Sequence, residues 1–374
     1  MGRFAFSPPA CHVQVSFRLN TRNFRQLFTR ETPEAYRFFA RAIDEQSLAA
    51  LPWHRRVTTR GRQFFVAFTS RLAPARRALY GIGLLMPLVG LLLPIVTRSR
   101  EDGIIWLLGG FAVMNLLVML EVADRLTLKR DLEVAREIQM LMLPREMVTG
   151  GGLEAYGFTR PANTVGGDFY DVLPMPDGRL VLALGDVAGK GSPAALLMAL
   201  VLAILRTLVD EGLKPDAIAH RLNLQVARHA PRSRFVTLCL VLFDPASGDI
   251  HYVNAGHPPA LLRRAGGQYE RLAAGGTALG MFELSTYTAG RTTLGMGDVL
   301  VFYSDGITEA ENAAGVPFDE GGLETAIGQH WWKDAAGLGQ AIVAAVEHHV
   351  ADTRLADDLT VLAVRRPIPL PTTP

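Results

Sequence analysis

Residues 180–200 read LVLALGDVAGKGSPAALLMAL. The apolar run 180–184 has the length and composition of a buried strand. Gly185-Asp186 ends it, and a turn through Gly189 and Gly191 follows, glycines tolerating the positive φ that tight turns need. From Ser192 the stretch becomes a helix, with Pro193 in its first turn, where a missing N–H costs nothing. Outward from this stretch the same punctuation recurs. Residues 299–303 (VLVFY) run into Ser304-Asp305-Gly306, and Asp357-Asp358 stand directly ahead of 359–364 (LTVLAV). Gly166-Gly167-Asp168-Phe169-Tyr170-Asp171 precede the apolar Val172 and Leu173. A single Asp-Gly after a strand is usually only a turn. Four acidic segments at strand ends are instead what a hard-cation site requires, because carboxylate oxygens bind Mg²⁺ or Mn²⁺ and strands hold them rigidly.

Six motifs occur in one order: GGDFYDV, GDVAGKGSPAALLMA, NAGHPP, GGTALGMF, YSDGITEA and ADDLTV. In this the chain resembles the bacterial metal-dependent (PPM-type) serine/threonine protein phosphatases of the SpoIIE/RsbU type, from about residue 133 to 366. The resemblance implies an α+β fold, the phosphatase β-sandwich of two antiparallel sheets flanked by helices, with two Mn²⁺ or Mg²⁺ ions at one end. By the same resemblance Asp186 bridges both ions beside the carbonyl of Val187. Asp305 and Asp357 hold the first ion, and Asp168 reaches the second, so these four Asp carry catalysis. Asp358 and Asp171 orient ligands or water. Two dications polarise the phosphoryl group and activate a water for in-line attack, so no cysteine nucleophile is needed.

One position departs from the pattern. Relatives on the eukaryotic branch carry a His two residues after the bridging Asp, placed to protonate the leaving oxygen, and here Ala188 stands there. A general acid typically supplies about 10²–10⁴-fold. His257, in the NAGHPP loop, is the nearest replacement by motif, although a structural hydrogen bond after the strand 250–254 is the favoured role. Lys190 either meets a phosphate or stays a solvated loop lysine. The two cysteines, Cys11 and Cys239, have no ligand spacing, and Cys239 lies in an apolar strand. They exclude a disulfide framework and a cysteine-dependent phosphatase, and they suit a reducing compartment.

Ahead of the enzyme, residues 78–97 and 103–120 are two uncharged stretches long enough to cross a bilayer, separated by five residues rich in charge. Gly109-Gly110 and Asn115 suit close packing in such a hairpin. Residues 1–77 carry fourteen Arg against four acidic residues, net +10, so with the whole chain at +2 the remainder carries −8. Arg71, Arg76 and Arg77 flank the first stretch, and Arg125, Lys129 and Arg130 follow the second. Positive charge on both outer flanks places both termini and the catalytic domain in the cytoplasm, below the inner membrane. The segment 1–77 is either a basic surface for anionic lipid or a poorly ordered tail, with an amphipathic helix over 33–51. It carries no nucleic-acid reader motif.

Residues 121–144 contain no Gly, and no Pro until Pro144. Leu128, Leu132, Ala135, Gln139 and Met142 recur at steps of four and three, a spacing for a two-helix coiled coil and hence a homodimer. The ending AREIQMLMLP resembles the segment that precedes the catalytic core in RsbU-like proteins, where such a helix couples dimer geometry to metal binding. The expected organisation is a basic segment 1–77, spans 78–97 and 103–120, a helical linker 121–144, a phosphatase domain 145–366 and a disordered tail 367–374. The expected function is dephosphorylation of a phosphoserine/phosphothreonine protein in bacterial signalling. By resemblance the substrate is an anti-anti-sigma (STAS-type) protein. The alternative is a catalytically weak or inactive phosphatase-fold binding module. A metal-dependent phosphodiesterase or nuclease is disfavoured by the net acidic chain beyond residue 77 and the lack of His among the ligands.

Overall fold

A computed structural model describes residues 52–97, 100–144, 147–231, 233–351, 353 and 355–368. The helix expected over 33–51, Cys11 and the tail from 369 onward lie outside the described residues. The chain divides into two compact units, 1–125 and 126–374.

In the first unit, α1 (Trp53–Thr69) is followed by α2 (Pro74–Thr97) and by α3 (Arg100–Met142). The expected second span and linker are therefore one helix of 43 residues. With neither Gly after 110 nor Pro before 144, nothing in that sequence stops it. Helices α2 and α3 pack through glycines. A Cβ on Gly90 would lie 2.7 Å from the carbonyl oxygen of Gly103, and one on Gly110 would lie 2.6 Å from the Pro87 ring. Such close backbone approach is how helices associate when water supplies no drive. Asn115 takes no part, since its side-chain amide donates back to the Phe111 carbonyl at 2.9 Å on its own helix.

The second unit is a sandwich of two sheets. Its strands are β1 (Val148–Gly150), β2 (Leu153–Arg160), β3 (Phe169–Pro174), β4 (Leu180–Val187), β5 (Val236–Phe243), β6 (Asp249–Ala255), β7 (Ala260–Arg263), β8 (Tyr269–Leu272), β9 (Gly275–Gly276), β10 (Gly290–Thr293), β11 (Val299–Tyr303) and β12 (Leu359–Arg365). One sheet has the order β1-β2-β12-β11-β7-β8; the other runs β10-β6-β5-β4-β3, with β9 added against β6. Every pairing is antiparallel except β6 with β9, which is parallel. Helices α4 (Ser192–Asp210) and α5 (Pro215–His229) cover the second sheet, while α7 (Asp319–His330) and α8 (Ala335–Val350) cover the first; α6 (Asp305–Thr308) is a single turn.

Alternation within β11 makes the layering explicit. Val299, Val301 and Tyr303 join the cluster with α7 and α8, whereas Leu300 and Phe302 join the core shared with the other sheet. Strands covered on both faces are apolar throughout, which is why β4, β5 and β11 read as continuous runs rather than alternating ones. Among the described residues, three helices are long and apolar enough to cross a membrane: α2, α3 from Gly103, and α4. Helix α4 spends that apolarity on the sandwich, with Met198, Val201, Leu202 and Leu205 fully buried in the core.

Candidate metal centre

The two sheets bring their carboxylates to one end. Strands β3 and β4 pair Phe169 with Gly185, so Asp168 and Asp186 sit across from each other. Strands β11 and β12 pair Tyr303 with Val361, so Asp305, the first residue of α6, faces the loop carrying Asp357 and Asp358. The sheets are stitched at this point. Both oxygens of Asp358 accept backbone N–H groups, from Ala162 at 2.7 Å and from Gly167 at 2.8 Å. Gly167 is pressed between ligand candidates, since a Cβ there would lie 2.7 Å from the Val187 carbonyl oxygen and 2.8 Å from Asp186 Oδ1. The Val187 carbonyl and the Asp186 carboxylate therefore border the same small space.

Electrostatics identify this end as strained in the absence of cations. Burial, then the neighbouring Asp186, push Asp168 well above the ordinary carboxylate range, against the pull of the Thr360 and Ser304 hydroxyls. Burial and then Asp305 raise Asp186 to about 6. Burial, Asp357 and Glu309 also raise Asp305. Asp168 Oδ2 is buried without any hydrogen-bond partner. A buried, unpaired carboxylate oxygen beside Asp186 and Asp358 is a demand for positive charge. The all-oxygen donor set fits a hard divalent cation. Among the described residues, however, no three His, Cys, Asp or Glu side chains stand close enough to grip an ion as placed. Asp357 is instead held by Lys190, whose ammonium lies 2.9 Å from Asp357 Oδ2 and donates to the Ala356 carbonyl at 2.6 Å. A cavity of about 340 Å³ opens beside Asp357, lined by Gly306, Glu309, Glu311 and Thr353.

His257 has both ring nitrogens engaged. Nε2 donates to the Tyr303 carbonyl at 3.1 Å, so Nδ1 accepts from the Thr237 hydroxyl at 2.8 Å. Burial lowers its pKa from 6.5 to about 4. Its stabilising contribution is therefore complete above pH 6.5 and is lost as pH falls from there through 4, amounting to about 3 kcal/mol. In chemical denaturation of residues 126–374, His257→Gln is expected to remove this acid-side slope. The opposite slope from the raised carboxylates is common to both proteins and cancels in the difference.

Asp171 stands apart from the cluster. Its Oδ2 pairs with Arg206 Nε at 2.8 Å, and another nitrogen of Arg206 donates to the Met142 carbonyl at the end of α3. Sequence reading also placed Gln139 in an apolar stripe, yet the residue is only 4% exposed and grips both backbone groups of one glycine. Gln139 Nε2 donates to the Gly166 carbonyl at 2.8 Å, and its Oε1 accepts from the Gly166 N–H at 3.2 Å. A glutamine amid apolar residues was the available signal, but nothing in sequence named its partner. Arg234 was missed altogether; it donates to the Ala188 carbonyl at 2.7 Å and lies so close to Gly189 that a Cβ there would strike its guanidinium.

With this geometry in place, comparisons with known proteins agree on one family. The model of the family "Stage II sporulation protein E (SpoIIE)" matches residues 176–367. Protein IcfG of Synechocystis sp. is 29% identical over 57% of this chain, and the match spans 38% of IcfG. Phosphoserine phosphatase RsbU of Bacillus subtilis is 26% identical over 64% of this chain and 71% of its own length. Among solved structures, the SiaA-PP2C domain of Pseudomonas aeruginosa superposes with a TM-score of 0.57 at 22% identity, covering 65% of this chain and 98% of that domain. The sandwich thus has the PP2C-type phosphatase fold, and the chain belongs to the SpoIIE family.

Proposed function

We propose that this protein is a membrane-anchored, Mn²⁺- or Mg²⁺-dependent phosphoserine/phosphothreonine protein phosphatase. The observation that carries the reading is the unpaired, buried Oδ2 of Asp168 within a cluster of carboxylates. Asp186, Asp305, Asp357, Asp168 and the Val187 carbonyl would hold the ions. When bound, a pair of divalent ions supplies Lewis acidity toward the phosphoryl group and an activated water. The chain's own part is to keep ligands still: Asp358 fastens the 162–167 loop directly ahead of Asp168. Lys190 now pairs with Asp357; were Asp357 to hold an ion, that ammonium would be free to meet a phosphate as a point charge. The similarity to phosphoserine phosphatase RsbU supports a phosphoserine protein as substrate, and the motif resemblance narrows it to a STAS-type protein.

The apolar helices α2 and α3 support an inner-membrane anchor with both termini cytoplasmic. The exposed Leu126, Leu128, Val134, Ile138 and Leu141 on α3 support a homodimer through the 121–144 region. A second reading, a weak or inactive binding module, is favoured by Ala188 and by the open spacing of the carboxylates.

The deciding experiment uses the full chain in detergent, with an aryl phosphate and a phosphoserine peptide over a manganese titration. Turnover that requires Mn²⁺ is expected, with half-saturation moving to higher Mn²⁺ as pH falls through about 6, where Asp186 takes up a proton. Absence of both turnover and calorimetric Mn²⁺ binding leaves the binding-module reading.

Gln139→Ala tests the hold of α3 on the loop ahead of Asp168. It strands two buried polar groups of Gly166. The expected result is an apparent manganese affinity roughly 10–100-fold weaker, with turnover recovering at saturating metal. Unchanged half-saturation would mean that Gln139 only packs.

A further inference from the structure

We propose that the first unit holds one anionic phospholipid of the cytoplasmic leaflet in a preformed pocket between α1, α2 and α3. The inference rests on the membrane-anchor reading given above. The pocket has a volume of about 320 Å³. That lies at the low end of ligand sites, about 300–1,000 Å³, enough for a phosphate, its glycerol and the upper part of one acyl chain.

Its walls and rim differ in chemistry. Phe68, Tyr80, Leu117 and Val118 give apolar sides, while Arg71, Arg76, Glu121 and Arg125 form the polar rim. Arg76 is committed to the protein, pairing with Asp124 at 2.7 Å and Glu121 at 3.3 Å, and so braces α2 on α3. Arg125 meets Glu121 only at 3.6 Å and is 80% exposed. The turn under the pocket is tied down by Arg77, which donates to the carbonyls of Thr69 at 2.9 Å and Ser70 at 3.1 Å. The Phe68 and Tyr80 rings pack at 5.4 Å, fixing one wall.

The level of the pocket fits a headgroup. It lies where the lipid-suited surface of α2 and α3, with Leu84, Leu88 and Val118 exposed, gives way to Arg76, Glu121, Asp124 and Arg125. Charge complementarity selects the occupant. Residues 53–77 contain seven Arg and no acidic residue. Helix α1 adds Arg55, Arg56, Arg60 and Arg62 beside exposed Trp53, Val57 and Phe65. Such a helix lies on an anionic interface, and each nearby guanidinium strengthens attraction to anionic lipid.

The test is native mass spectrometry of the full chain in detergent, titrated with phosphatidylglycerol or phosphatidylcholine, preceded by alkaline carbonate extraction of cell membranes. One phosphatidylglycerol is expected to be retained in preference to phosphatidylcholine. Arg71→Gln and Arg125→Gln are each expected to weaken retention roughly fivefold. Val118→Trp, at an exposed wall position, is expected to block it by filling the pocket while leaving every charge in place. A chain extracted by carbonate overturns the anchor reading and the lipid site together. A chain that stays in the membrane but shows no preference, or a preference untouched by all three variants, overturns the lipid site alone.

Discussion

Asp186→Asn is expected to abolish manganese-dependent hydrolysis, by about 10³-fold or more, while leaving the metal-free protein as stable as before or more so. The two halves of this expectation share one cause. Asp186 is held at the end of β4 among Asp168, Asp305, Asp357 and Asp358, and its pKa of about 6 reports how unwelcome its charge is there. The amide keeps the size and removes the charge, so repulsion in the metal-free cluster falls. Divalent ions would lose one of the carboxylates proposed to hold them. The several kcal/mol of charge stabilisation that such ions supply corresponds, at about 1.4 kcal/mol per tenfold, to about 10³ or more in rate. Thermal melts with and without Mn²⁺ separate the halves: the stabilisation that manganese confers on the unsubstituted protein is expected to vanish in the variant. A variant that retains turnover would dissolve the proposed centre, and one that merely unfolds would show that Asp186 serves the fold.

Gly306→Ala is expected to be among the most damaging small substitutions in the catalytic unit. A Cβ at Gly306 would lie 2.0 Å from the backbone oxygen of Asp358, an atom already accepting from Ser304 Oγ at 3.1 Å. Backbone stands on both sides of this contact, so no flexible side chain can yield. Overpacking of this kind costs about 1–3 kcal/mol and occasionally more, a large part of the roughly 5–15 kcal/mol that holds a domain together. A fall in melting temperature of about 5–10 °C is expected. Turnover should fall as well, because the strain moves Asp305 and Asp357 apart. Gly150→Ala is the control, since a Cβ there meets nothing within 4 Å. Equal melting temperatures for the two variants would show that the loop carrying Asp357 adapts.

Much of this architecture was legible because its determinants are local. Strand β11 falls on the residues expected from turn chemistry, helix α4 starts at the expected Ser192, and β4 extends the expected run by three residues through Asp186 to Val187. The linker was only half legible. A stripe at steps of four and three says that one face is buried, but not against what. Gln139 and Leu143 are buried on the chain's own catalytic unit, whereas Leu128 and Ile138 remain exposed. The same stripe therefore serves two surfaces.

Sequence alone determined that carboxylates stand at the ends of four strands, that a helix precedes them, and that two apolar stretches precede that helix. Each of these follows from residues within a few positions of one another: a turn's need for positive φ, a strand's continuous apolar run, a helix's freedom from Gly and Pro. Only the tertiary structure decided what each carboxylate meets. Asp358 meets Gly167 across 191 positions, Asp171 is drawn to Arg206 across 35, and Gln139 reaches Gly166 across 27. Such partners depend on strand order and on which loops close over which sheet end. Sequence spacing carries no record of either, because the free energy that selects them comes from burying the whole sandwich at once.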